Sequence, residues 1–146
     1  MTDEFYMRRA IELAKKGRGW TNPNPMVGAV IVKNGSIIGE GYHEKCGELH
    51  AERNAIASLT ESAEGATFYV TLEPCQMCAG AIVQARIPEV MIGCMNPKAG
   101  CAGSIYNLLQ EPAFNHQVSL FKGVLEEECS QMLKDFFRSL RTRLKT

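Results

Sequence analysis

Three short pieces of the chain carry side chains suited to holding a metal and moving a proton: His50-Ala51-Glu52, Pro74-Cys75 and Cys78. Cys75 and Cys78 are three apart, so they share one face if a helix begins there. The N-terminal end of a helix carries partial positive charge, which favours thiolates. Two thiolates and one imidazole make a soft, nearly complete tetrahedral set for one Zn2+ ion per chain. Three protein ligands leave the fourth position to water, which separates a catalytic zinc from a structural one. Zinc makes such a water acidic near neutral pH, and a neighbouring carboxylate can take its proton and return it to a leaving group. Glu52 is the candidate for that catalytic role. His50 and Glu52 are two residues apart, about 200° around a regular helix. Both face one metal only if His50 lies at the very start of its helix, which the preceding Cys46-Gly47-Glu48 stretch allows.

The elements around these pieces follow from periodicity. Tyr6, Ala10, Leu13 and Ala14 recur at helical spacing, predicting an amphipathic helix over 3–16 that Gly17 and Gly19 end. The prolines of Thr21-Asn22-Pro23-Asn24-Pro25 then force an extended loop. Strands are predicted at 27–32 and 37–42, joined by the hairpin signal Asn34-Gly35. A helix over 50–59 precedes an apolar strand over 67–72, and a helix over 76–85 precedes a strand over 90–93. A short helix over 104–109 and a strand over 117–121 lead to a long final helix marked by Leu125, Cys129, Met132, Leu133, Phe136 and Leu140. Strands alternating with helices predict parallel pairing, with the hairpin as an antiparallel edge. The expected fold is α/β, a three-layer α/β/α sandwich on a mixed five-stranded sheet, in a single domain over 1–146.

Composition sets the class. The 146 residues carry equal numbers of acidic and basic side chains, 45% are hydrophobic and 22% charged, as in ordinary globular domains. No apolar run is long enough for a membrane span. Met1-Thr2-Asp3-Glu4 is followed by no apolar signal segment, so a cytoplasmic location is expected. In that setting the six cysteines read as reduced thiols, with Cys94, Cys101 and Cys129 as small core residues. Trp20, beside the TNPNP loop, reads as packing that anchors its loop, with stacking on a ligand as the alternative. Lys134–Thr146 holds five basic side chains and one acidic, suiting contact with a nucleic-acid backbone, with Phe136 at core spacing.

His-x-Glu followed by Pro-Cys-x-x-Cys is the pattern of zinc base deaminases. At these residues the chain resembles the cytidine-deaminase superfamily, and the resemblance divides in two. Residues 3–75 are similar to the deaminase domain of the bifunctional riboflavin-biosynthesis protein, through AIELAKKGRGWTNPNPMVGAVIVKNGSIIGEGYH, GELHAERNAI and EGATFYVTLEPC. Residues 68–143 are similar to the bacterial tRNA wobble-adenosine deaminase, through FYVTLEPCQMCAGAIVQARIP, NPKAGCAGSIYNLLQ, FNHQV and GVLEEECSQMLKDFFRSLR. The first half departs from its family in having only Gln76-Met77 between the cysteines, without the longer insert whose Lys meets a substrate phosphate, and the expectation is a deaminase without the reductase domain usual in that family. The second departs by carrying His43 where that family has a base-holding Asn, and Asn96 in place of an Asp. The join at Glu73-Pro74-Cys75 suggests a recombined or engineered gene.

The resemblance implies that Asn24 and His43 line the base pocket. It places Asn96, Lys98, Phe114, Asn115 and His116 near a flipped nucleotide, and Phe137, Arg138 and Arg141 on a helix that contacts the anticodon loop. It also implies a homodimer. The expected function is zinc-dependent hydrolytic deamination of adenosine to inosine in RNA, at the tRNA wobble position. The alternatives are the same chemistry on the diaminopyrimidinone nucleotide of riboflavin synthesis, and a non-catalytic, zinc-stabilised RNA-binding or dimer-partner module.

Overall fold

The computed structural model describes residues 2–145. Helix α1 (Asp3–Lys15) leads through the proline-containing loop to the hairpin β1 (Gly28–Lys33) and β2 (Ser36–Tyr42). The chain then runs through α2 (Ala51–Ala57), β3 (Thr67–Leu72), α3 (Gln76–Gln84), β4 (Glu89–Cys94), β5 (Ser119–Lys122) and α4 (Glu126–Lys145). The five strands form one mixed sheet in the order β2-β1-β3-β4-β5. The hairpin turns on Asn34 and Gly35, both with positive φ, as a tight turn of this kind requires.

Pairing is antiparallel for β1 with β2 and for β1 with β3, and parallel for β3–β4 and β4–β5. The antiparallel character thus reaches one strand further into the sheet than the hairpin edge alone predicts. The crossover through α2 skips over β1, so β2 and β3 run in the same direction without being neighbours. Two apolar layers flank the sheet. One joins Ala51 and Ala55 of α2 and Ala79, Ile82 and Val83 of α3 to Ile31, Phe68, Val70, Val90 and Ile92. The other packs α1 and α4 against Val30, Tyr69 and Met91. This is the expected three-layer sandwich. The helices sit close because glycines face them: a Cβ on Gly41 would run into the Ala51 carbonyl and the Ala55 amide of α2.

One predicted element is different. Residues 104–109 do not form a helix; an Ala102–Asn107 bridge closes a turn, and only Leu108–Gln110 forms a 3-10 turn. The reason lies in Glu73, whose carboxylate draws the amides of this segment toward itself, as described below. Among the described residues no helix is long and apolar enough to cross a membrane.

Candidate metal and catalytic site

The site forms where β3 and β4 end and α2 and α3 begin. His50 is the N-cap of α2, with an extended backbone and no capping hydrogen bond from its side chain. The imidazole is therefore free to turn toward α3. Cys75 is the N-cap of α3 in the same way, and Cys78 lies one turn into that helix. His50 Nδ1 lies 3.7 Å from Cys75 Sγ and 3.4 Å from Cys78 Sγ. The three donor atoms lie within 4.8 Å of one another, a spacing that bonds of about 2.0–2.3 Å to one tetrahedral zinc would span. Placing His50 at the cap lets Glu52, in the first turn of α2, reach the same side.

The electrostatics divide the two thiols. A hydrogen bond from Cys78, the backbone amides of Cys78 and Met77 and the nearby His50 hold the Cys75 thiol down at about 5. Cys78 donates that bond to Cys75 and is buried, so its own pKa is pushed far up. The helix end therefore acidifies one thiol rather than both. Burial, reinforced by the charge on Cys75, pushes Glu52 up to about 7. A carboxyl with a pKa near neutrality can both accept and return a proton.

A cavity of about 160 Å³ opens beside these groups, walled by Asn24, His43, His50, Glu52, Cys75 and Asn96 among others. Leu49 O accepts from His43 Nδ1 at 3.1 Å, which fixes the tautomer with the proton on Nδ1. His43 Nε2 then accepts from the Asn24 amide at 3.3 Å. Asn24 Oδ1 is left to accept a hydrogen bond from a bound ring.

The cytidine and deoxycytidylate deaminase zinc-binding region matches residues 1–94, which include every one of these donors. The chain belongs to that family. It is a zinc-dependent nucleobase deaminase, and its cofactor is zinc. It is 48% identical to riboflavin biosynthesis protein RibD of Actinobacillus pleuropneumoniae, over 98% of this chain and 39% of that protein. It is also 48% identical to the tRNA-specific adenosine deaminase of Bacillus subtilis, over 98% of this chain and 93% of that protein. The RibD structure of Acinetobacter baumannii superposes with a TM-score of 0.82 at 38% identity, over 94% of this chain and 39% of that one. The deaminase thus spans about two-fifths of the RibD proteins it matches.

Of the residues expected to meet substrate, Asn24, His43 and Asn96 line the deaminase's cavity. Lys98 is exposed just beyond, its amide bonded to Asn96 Oδ1 at 3.3 Å. Asn115 accepts from Arg86, and His116 Nε2 bonds Ile87 O at 2.7 Å. Those contacts place Phe114, Asn115 and His116 where β4 and β5 begin, one strand length or about 16 Å from the cavity end. Phe137, Arg138 and Arg141 are exposed on α4, outside the cavity wall. Phe136 is buried in the core, as its spacing predicts, and so are Cys94, Cys101 and Cys129. Cys46 is exposed, its sulfur 3.8 Å from Asn24 Nδ2.

Sequence reasoning missed Glu73. Its buried carboxylate accepts from the amides of Asn96, Ala102 and Ser104 at 2.9 Å each, and from the Ser104 hydroxyl. Burial alone would raise its pKa, but these donors outweigh burial and hold it below the usual carboxylate range. One carboxylate thereby ties down the loop that carries Asn96 and Ala99 into the cavity wall. The signal was present as an acid ending an otherwise apolar strand, TFYVTLE. Glu73→Ala is expected to lower unfolding free energy by roughly 3 kcal/mol, since it strands buried amide donors. It should also raise KM; urea unfolding and steady-state kinetics check both.

Proposed function

We propose that this deaminase converts adenosine to inosine in RNA, with the tRNA anticodon wobble base as its target. The observation that carries the reading is the cavity wall. At about 160 Å³ it has room for a single base, and it contains no Lys or Arg to hold a phosphate. A base reaching it therefore enters alone, with its sugar and phosphates outside, as a nucleotide flipped from a strand does. Only Gln76-Met77 separates Cys75 from Cys78, so the phosphate-binding Lys of the longer riboflavin-type insert has no counterpart there.

When bound by His50, Cys75 and Cys78, zinc supplies an activated water. Glu52 takes the proton of that water, passes it to the ring nitrogen beside the amine-bearing carbon, and assists departure of the amine as ammonia. Water and adenosine are consumed; inosine and ammonia form. Asn24 and His43 orient the ring, and Asn96 covers its edge. In a homodimer, Phe114, Asn115 and His116 would serve the other copy's substrate, consistent with their distance from their own cavity.

A second reading has its own support. The Asn24–His43 pair presents an acceptor to the ring, which suits the N–H of a diaminopyrimidinone. The experiment offers the zinc-loaded chain an anticodon stem-loop and, separately, the diaminopyrimidinone ribosylamino phosphate of riboflavin synthesis. Inosine at the wobble base supports the first reading; ammonia from the pyrimidine alone replaces it with the second.

A further inference from the structure

Trp20 does not pack as its sequence suggests. It is 67% exposed. The backbone beneath it is nevertheless fixed: Trp20 N donates to Gly17 O at 3.0 Å, Cys46 N to Trp20 O at 3.1 Å and Asn24 N to Thr21 O at 2.7 Å. Thr21, the next residue, is completely buried. A large aromatic is thus held out in solvent on a rigid loop, and ordinary folding gives no reason for it.

The position of the loop gives one. On one side it delivers Asn24 into the cavity wall. On the other, Arg18, Gly19 and Asn22 share a groove of about 730 Å³ with Ser139 and Leu140 of α4. Glu12, Glu128 and Asp135 also line it, Glu128 paired with Arg8 and Asp135 with the exposed Arg138, so the cations without an acidic partner lie at the loop end. Lys15, Lys16 and Arg18 beside the tryptophan are exposed, and among the described residues none of them forms an ion pair. Unpaired cations flanking an exposed aromatic are complementary to a phosphate backbone carrying unstacked bases.

We infer that the 17–22 loop is a single-stranded RNA platform between the cavity mouth and α4, with Trp20 stacking on a base next to the flipped nucleotide and Arg18 meeting the backbone. This rests on the RNA reading above and extends it to residues outside the deaminase pocket.

Trp20 is the only tryptophan in the chain, so its emission reports on this site alone. The zinc-loaded Glu52→Ala chain is titrated with an anticodon stem-loop carrying a fluorophore remote from the loop. Binding is read by the label's anisotropy and stacking by tryptophan emission. Quenching should saturate at the same midpoint as anisotropy. Trp20→Ala should weaken Kd by about 5- to 150-fold, the range for loss of one base-stacking contact. Trp20→Phe should recover most of it. RNA bound with unchanged emission and unchanged affinity in Trp20→Ala overturns the platform and leaves the RNA reading standing. No anisotropy change overturns both. Intact RNA affinity in Trp20→Ala, with a shift of the chain to a smaller sedimenting species, makes the ring a contact between copies and overturns the proposal.

Discussion

Glu52→Gln is expected to lower kcat by about 10²- to 10⁴-fold, the usual worth of a positioned general acid–base. The amide is nearly isosteric but can neither take the water's proton nor return it, so zinc content and KM should change little. The same substitution should stabilise the metal-free protein. Burial raises the Glu52 carboxyl from 4.5 to about 7 in the folded state. The folded form therefore holds that proton more tightly than the unfolded chain. The associated stability is fully present below 4.5 and is lost as pH rises through 7, where the carboxylate ionises in an apolar setting. At pH 8, metal-free Glu52→Gln should be the more stable by roughly 3 kcal/mol, and the gap should close below about pH 4.5. Urea unfolding of both chains across that range checks it; a variant less stable than wild type at pH 8 would mean that the carboxylate is held by partners rather than strained by burial.

Cys75→Ala should abolish turnover and weaken zinc binding by more than about 100-fold, beyond the loss typical when a residue behind a metal ligand is changed. Cys75 supplies the thiolate that is present before the metal arrives, because its thiol sits at about 5. Cys78 retains its proton until zinc displaces it, and Glu52 near 7 gives up a further fraction beside a dication. Zinc uptake at pH 7 should thus release between about one and two protons per chain. Calorimetry in buffers of different ionisation enthalpy reads that number directly. Release of none would mean that both thiols are already ionised in the metal-free chain.

The metal centre and the frame that holds it were readable in the sequence because they depend on local pattern. A continuous apolar run marks β3, helical spacing marks α1 and α4, and Asn34-Gly35 marks the hairpin. The two-residue separation of His50 and Glu52 itself demands that His50 cap its helix, as it does. What stayed hidden depends on contacts between distant segments. Glu73 ties residues 23 to 31 positions away, and nothing near Ser104 announces that its amide belongs to that carboxylate rather than to a helix. The Phe114-Asn115-His116 run lies far from the cavity only because β5 is parallel to β4, which places residues before β5 and residues after β4 at opposite ends. Trp20 stands out in solvent because the tryptophan backbone, rather than its ring, anchors the loop.

Deamination in isotopically labelled water follows the proposed attack of water on the adenine ring directly. Zinc-loaded chain is incubated with an anticodon stem-loop in H2-18O, and the nucleosides are analysed by mass after digestion. Inosine is expected at the wobble position with the heavy oxygen on the carbon that bore the amine, with ammonia in equal amount, and both products should form at least about 100-fold more slowly with Glu52→Gln. A folded, zinc-loaded chain that leaves the adenosine unchanged, or the same yield of inosine from Glu52→Gln, would contradict that expectation.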